Sequence, residues 1–176
     1  MSSVSTYAAD YTQSYYYNQY YSKNKALVTA SNRSHYSDTT LVQADSLALK
    51  KAVSRLTGFD YSDSNGADVI NAVMAFADTY NNAMDSSEST TDHSVSRLRR
   101  SIKSLTKEQS DALSKIGITV KSNGKISVDK DTLGNSRLAN VEKVFSEDSE
   151  FMESLQGLAK KMQRAGQKAS TIDVSV

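Results

Sequence analysis

The sequence predicts a mainly α fold, in which an antiparallel helical hairpin is packed by shorter helices and carries one β-hairpin. Apolar residues recur at spacings of three and four over residues 66–84 and 92–105, which is the pattern of amphipathic helices. Two short runs of β-branched residues flank Asn123-Gly124, as in a β-hairpin. No proline occurs among the 176 residues, so no proline ring interrupts a helix.

Composition divides the chain into three predicted parts. Residues 1–43 form a tyrosine-rich, low-complexity tail, because they hold eight of the ten tyrosines among polar residues and few aliphatic ones. Residues 44–166 form a helical domain that includes the β-hairpin. Residues 167–176 form a loose C-terminal tail.

The function of the tyrosine-rich tail has three interpretations. It is a mobile segment, a sticky segment that orders on a partner through tyrosine stacking, or an aromatic platform for single-stranded nucleic acid. The last is the weakest, because only Lys23, Lys25 and Arg33 supply positive charge. The residues of the sticky segment are Tyr15, Tyr16, Tyr17, Tyr20 and Tyr21.

A first helix precedes the two long ones. Asp45 or Ser46 can serve as its N-cap, because short oxygen-bearing side chains accept hydrogen bonds from the free N–H groups of the first turn. Gly58 ends this helix. The aspartate-rich stretch that follows, residues 60–65, is predicted to be a polar capping loop.

The two long helices are predicted to pack in antiparallel fashion through a turn at residues 86–91. Residues 45–90 carry 3 basic and 7 acidic residues, whereas residues 91–130 carry 9 basic and 4 acidic residues. This opposition of charge favours their pairing. The residues expected to pack the helices, in the core or at an interface, are Val69, Val73, Phe76, Tyr80, Leu98 and Ile102.

The predicted β-hairpin begins after Gly117, which ends a short helix. A three-residue loop, residues 122–124, pairs Val120 with Ile126 and places the apolar residues of both strands on one face. Gly124 then occupies the left-handed position of a bulged turn. Since an isolated hairpin is marginally stable in water, this apolar face is expected to lie on helices.

Short helices flank the hairpin. Thr106-x-x-Gln109 is a capping box that opens the helix before it. After the hairpin, Asp129 or Asp131 caps one helical turn, and another short helix follows. A final amphipathic helix, over about residues 149–165, ends at Gly166.

The sequence contains no constellation typical of a catalytic, cofactor-binding or metal-binding site. The chain has no cysteine, and His35 and His93 lie in separate polar stretches without a nearby partner for zinc or for a catalytic triad. Counted from Asp60, the glycine of the aspartate-rich loop falls at position 7, whereas an EF-hand requires it at position 6. We therefore expect no enzyme, no metal and no cofactor.

Charge and hydropathy also exclude two classes of partner. The net charge is only +1, and the basic run over residues 97–103 is interpreted as a solvated helix face, so we expect no nucleic-acid binding. No apolar run approaches the roughly 18 residues of a membrane span, so we expect no membrane insertion.

Three stretches of the sequence resemble a known family. AFADTYNNAM, residues 75–84, resembles the "F-x-x-x-YN" helix of the bacterial flagellar filament cap protein, hook-associated protein 2. LSKIGITVKSNGKISVDKDTL, residues 113–133, resembles the hairpin "L-x-x-IGI-T…G-x-LSLD…L" of the same family, and NVEKVFS, residues 140–146, resembles its continuation. The resemblance covers the C-terminal region of that family.

The resemblance implies a non-enzymatic structural protein at the bacterial flagellum. Members of that family form a ring-shaped cap, are exported unfolded by the flagellar machine and assist flagellin assembly. This chain lacks the outer β-domains of the family, so a truncated or stand-alone relative is expected, which binds itself or filament proteins outside the cell. The alternative is an intracellular, cytoplasmic helical adaptor or a chaperone-like binder of secreted subunits.

Overall fold

The computed structural model describes residues 13–172, with side chains described as far as residue 169. Most of these residues are helical, and two strands pair as an antiparallel hairpin, which confirms the predicted mainly α class with one β-hairpin. The helices are α1 (residues 13–20), α2 (Ala30–Arg33), α3 (Asp38–Thr57), α4 (Gly66–Ser89), α5 (His93–Glu108), α6 (Ser110–Ser114), α7 (Lys130–Asn135), α8 (Leu138–Phe145) and α9 (Glu150–Ile172); the strands are β1 (Ile118–Val120) and β2 (Ile126–Val128), and 3₁₀ turns cover Lys25–Val28 and Asp63–Asn65.

Helix α3 lies at the centre of the fold, between α4 and α9. Its N-cap is Ser37, whose hydroxyl accepts a hydrogen bond from the N–H of Thr40 at 3.3 Å. The prediction that Asp45 or Ser46 caps this helix is wrong, because both residues are fully buried inside it. Serine, threonine and aspartate are dense over residues 37–46, so the sequence offers several possible caps and does not separate them.

Helix α9 runs antiparallel along α3. Near one end of the pair, a Cβ at Gly166 of α9 would lie 3.0 Å from the backbone nitrogen of Gln43. Near the other end, the side-chain amide of Gln156 donates a hydrogen bond to the hydroxyl of Ser54 at 2.7 Å. The two helices therefore stay in contact over most of their length, which makes this pair the main packing interaction of the domain.

The predicted end of α9 at Gly166 is wrong, and so is the loose tail for residues 167–172, because the helix continues to Ile172. A glycine inside a helix costs only about 1 kcal/mol relative to alanine. Here the absent side chain also allows the backbones of α3 and α9 to approach closely, so tertiary packing keeps the residue helical. Residues 173–176 lie outside the described residues.

Helices α4 and α5 form the predicted antiparallel pair. The guanidinium of Arg99 lies 3.0 Å from the carboxylate of Glu88 near the end of α4. Further along α5, the hydroxyl of Thr106 lies 3.0 Å from that of Tyr80, which is further back in α4. Residues later in α5 thus contact residues earlier in α4, as in an antiparallel pair. The Arg99–Glu88 ion pair connects the basic and acidic segments identified in the sequence.

Two boundaries beside this pair differ from the prediction. Helix α4 continues to Ser89, so the turn covers residues 90–92 and not 86–91. The hydroxyl of Ser87 donates back to the carbonyl of Ala83 at 2.6 Å, so it is satisfied inside the helix and does not form a turn. The capping box Thr106-x-x-Gln109 is also wrong, because α5 continues through Glu108 and Thr106 is buried inside it.

The β-hairpin has the predicted register, with Val120 opposite Ile126 and a loop of residues 122–124. Gly117 and Gly124 have φ angles of +80° and +89°, the left-handed region that other residues disfavour. Ile118 and Ile126 are buried, and Val120 and Val128 are half-buried against the same core, so all four lie on one apolar face.

The predicted tail of residues 1–43 is wrong for residues 13–43, which pack on the domain through α1, α2 and the start of α3. Tyrosine has a large apolar ring, so a segment poor in aliphatic residues can still bury substantial area. Leu27, which is 2 % exposed, adds an aliphatic contact from the same segment. Residues 1–12, the rest of the predicted tail, lie outside the described residues.

Candidate functional site

The hairpin is held on α4 by two consecutive side chains, Tyr80 and Asn81. The hydroxyl of Tyr80 donates a hydrogen bond to the carbonyl of Gly124 at 2.8 Å. The side-chain amide of Asn81 donates to the carbonyl of Ile126 at 2.8 Å and accepts from the N–H of the same residue at 2.9 Å. Asn81 therefore pairs with β2 as a neighbouring strand would, which fixes the position of the hairpin along α4.

Replacing Asn81 with leucine is expected to lower the free energy of unfolding by about 2 kcal/mol, because both backbone groups of Ile126 lose their partner in a mostly buried place. Chemical denaturation monitored by circular dichroism measures this loss. The control is Asn140→Leu, at an exposed position of α8, which is expected to change stability by less than about 0.5 kcal/mol. Equal losses in the two variants would contradict a role of Asn81 in holding the hairpin.

The six residues predicted to pack the helices lie on α4 and α5. All except Leu98 are buried in the core, and Phe76 forms an edge-to-face contact with Phe145 of α8, with ring centroids 5.4 Å apart. Leu98 is half-buried and faces a surface cleft. The core residues are Val69, Val73, Phe76, Tyr80 and Ile102. The structure therefore leaves Leu98, among these six, at a surface that a partner could reach.

The five tyrosines of the predicted sticky segment divide between core and surface. Tyr16, Tyr20 and Tyr21 are buried, Tyr17 is half-buried, and Tyr15 is 56 % exposed. The buried rings belong to the chain's own core and are not available to a partner. Their spacing of four, Tyr16 to Tyr20 and Tyr17 to Tyr21, is the sequence signal that indicates a helical face.

A buried polar network joins this segment to α3 and α4. The carboxylate of Asp45, which is 0 % exposed, forms a two-pronged ion pair with Arg33 at 2.6 and 2.9 Å. It also accepts a hydrogen bond from the hydroxyl of Tyr21 at 2.6 Å, and the side chain of Asn82 donates to Tyr17 and Tyr21. Burial disfavours the Arg33 cation, but the hydrogen bonds and charge of Asp45 outweigh it and raise the pKa of Arg33.

Alkaline pH is expected to unfold the protein. Burial raises the pKa of Tyr80 from its ordinary value of 10.0 to about 12, and it also raises the pKa values of Tyr20, Tyr21 and Tyr61. Above pH 10 the unfolded chain releases these protons while the folded chain keeps them. Stability is therefore fully present below pH 10 and falls by about 1.4 kcal/mol per pH unit for each tyrosine as the pH rises toward 12.

Chemical denaturation at a series of pH values between 10 and 12 gives the slope of the free energy of unfolding against pH. Tyr80→Phe removes one titrating group, so its slope is expected to be shallower by one such increment, whatever its stability at neutral pH. A variant slope identical to that of the wild type would show that Tyr80 ionises as easily in the folded chain as in the unfolded chain.

The aspartate-rich loop is closed by its own hydrogen bonds. The carboxylate of Asp60 accepts from the side-chain amide of Asn65 at 2.9 Å and from the N–H of Ser62 at 3.1 Å. Across the described residues, no group of three or more His, Asp or Glu side chains is arranged to hold a metal ion. The loop precedes α4 and connects it to α3, as a structural turn does.

A cleft of about 580 Å³ lies between the N-terminal part of α5 and the C-terminal part of α9. Arg97, Lys161 and Arg164 line it with exposed positive charge, and Leu98 and Ala165 contribute half-buried apolar surface.

Sequence reasoning placed the basic run of α5 on a solvated face and missed this cleft, because Lys161 and Arg164, two of these three charges, come from α9. Residues 160–168 of α9 hold four lysine and arginine residues and no acidic residue, and that is the signal that could have indicated a basic surface. The carboxylate of Asp92 also borders the cleft, but it accepts hydrogen bonds from the N–H groups of Ser94 and Val95 as the N-cap of α5.

Within residues 13–172, none of the helices is sufficiently long and apolar to cross a lipid bilayer. No protein-family model matches the chain, and comparison with curated proteins and with solved structures finds no similar protein.

Proposed function

We propose that this chain is a non-enzymatic structural or assembly protein, related to the C-terminal region of the flagellar filament cap protein. It acts by packing helical surfaces against other subunits, through self-association or binding to filament proteins. The proposal starts from the resemblance of residues 75–84 and 113–133 to that family.

One structural observation carries the proposal: the two resembling segments contact each other. Tyr80 and Asn81 of the first segment hydrogen-bond to Gly124 and Ile126 of the second, across more than 40 residues of sequence. Two chance similarities would have no reason to meet through their most characteristic residues. Their contact supports the view that both belong to one module of the family.

The proposed location is the bacterial flagellum, outside the cell. Fractionation of cells into cytosol, culture medium and sheared filaments tests it, with an exporter-deficient strain as the control. We expect the protein in the medium or on the filaments of the parent strain and its retention in the exporter-deficient strain. Cytosolic protein in both strains would contradict this location and favour an intracellular adaptor.

The proposed partners are tested separately. Filament proteins are expected to co-purify with the tagged full chain from sheared filaments, and a tagged unrelated exported protein is the control. Absence of filament proteins, together with a monomeric mass by light scattering at high concentration, would contradict an assembly role.

A further inference from the structure

The cleft between α5 and α9 concentrates positive charge. Arg97, Lys161 and Arg164 are exposed on its rim, and none of them forms an ion pair among the described side chains. The stretch of α9 from residue 160 to 168 holds four basic residues and no acidic one. We call this surface the basic cleft; its apolar part is formed by Leu98 and Ala165.

The loop before α9 and the first turn of α9 carry the opposite charge. Glu147, Asp148, Glu150 and Glu153 are exposed, and they too form no ion pair among the described side chains. No lysine or arginine occurs between residues 144 and 159. We call residues 147–153 the acidic turn. The favourable interaction of acidic groups with a helix N-terminus explains part of this order, but it does not place Arg97 of another helix in the basic cleft.

One copy of the chain cannot join these two surfaces. Glu150 and Arg164 lie on the same helix, 14 residues or about 20 Å apart at 1.5 Å per residue, and even the nearest pair, Glu153 and Lys161, is about 12 Å apart along the axis. The carboxylates of the acidic turn therefore remain far from the basic cleft of their own chain. A second copy, translated along the direction of α9, can bring its acidic turn to the basic cleft.

We propose that copies of this chain associate head to tail, with the acidic turn of one copy seated in the basic cleft of the next. The inference rests on the proposed assembly function and names a second copy as the partner for this cleft. A contact between two different surfaces leaves both ends of a dimer unsatisfied, so it repeats into rings or open filaments. Complementary charge speeds the encounter and fixes the register.

The first test is the salt dependence of self-association, measured by sedimentation velocity on the full chain over a series of concentrations. Raising the salt from 0.1 M to 1 M shortens the screening length from about 10 Å to about 3 Å. We expect oligomers beyond the dimer at the lower salt and an association constant weaker by about tenfold or more at the higher salt. Monomers at the lower salt, at every concentration, would overturn the proposal.

The second test uses two variants that neutralise one surface each. Arg97→Gln/Lys161→Gln/Arg164→Gln removes the basic cleft, and Glu147→Gln/Asp148→Asn/Glu150→Gln removes the acidic turn. Each variant alone is expected to be monomeric, because it lacks one half of every contact. An equimolar mixture is expected to form a one-to-one dimer and nothing larger, because only one matched pair of surfaces remains.

The control variant, Lys107→Gln/Lys115→Gln/Lys121→Gln, removes three exposed positive charges away from the basic cleft and is expected to associate like the wild type. All substituted side chains are exposed, and circular dichroism verifies that the variants fold. Wild-type association by either surface variant alone would overturn the proposal, and so would a mixture that stays monomeric.

Two further results separate this inference from other possibilities. Binding of heparin to a monomeric wild type, lost in the basic-cleft variant, would overturn it and assign the cleft to a polyanion. If the head-to-tail contact fails while filament proteins still co-purify with the chain, the proposed function stands and uses a different surface.

Discussion

Replacing Gly117 with alanine is expected to lower the free energy of unfolding by about 3 kcal/mol, because a side chain here meets backbone on two sides. With φ at +80°, a Cβ would lie 3.0 Å from the carbonyl oxygen of Asp129 and 3.0 Å from the backbone nitrogen of Leu133. The left-handed conformation alone costs an alanine roughly 1–2 kcal/mol. Urea denaturation of the variant measures the combined cost of the strained backbone at residue 117 and of moving the contacting backbone of Asp129 and Leu133.

The matched control is Gly124→Ala, at the other left-handed glycine of the same hairpin. Its φ is +89°, but a Cβ there meets side-chain atoms of Lys103 and Met84, at 2.9 and 3.0 Å, and these chains can move. We expect a loss of about 1–2 kcal/mol, from the backbone conformation alone. A larger loss at Gly124 than at Gly117 would contradict the importance of the backbone contacts at Gly117.

Replacing Arg33 with methionine is expected to lower the free energy of unfolding by about 3–5 kcal/mol, because it leaves the carboxylate of Asp45 buried without its ion-pair partner. Removal of the guanidinium is also expected to loosen residues 13–36 from α3, since Arg33 and Tyr21 of this segment bind the same carboxylate. Urea denaturation gives the energy. Hydrogen exchange at the N–H of Leu27, which bonds to the carbonyl of Asn24, reports the release of the segment.

The double variant Arg33→Met/Asp45→Leu distinguishes loss of the ion pair from loss of packing. Removing both charges replaces the pair with apolar groups, which is often neutral in a buried position. We expect the double variant to be more stable than Arg33→Met alone by about 2 kcal/mol or more. A double variant that is less stable than the single one would show that the arginine side chain acts mainly by packing.

The sequence determined the elements whose signals are local. Gly117 and Gly124 each need a conformation that only glycine adopts easily, and the alternation of Ile118, Val120, Ile126 and Val128 allows one register with a single apolar face. The spacing of apolar residues along α4 is also a local signal, and it indicated correctly which face of the helix lies in the core. The resemblance to the cap family rested mainly on these two elements, through residues 75–84 of α4 and residues 113–133 around the hairpin.

The tertiary structure alone decided the features that depend on contacts distant in sequence. Asp45 and Arg33 are, in the sequence, an ordinary candidate cap and a lone charge, and only the packing of residues 13–36 against α3 makes them a buried pair. The basic cleft likewise joins Arg97 with Lys161 and Arg164 across more than 60 residues. Periodicity measures how apolar a local face is. It carries no information on which distant side chain meets a polar group, and that meeting decides whether the group is buried or solvated.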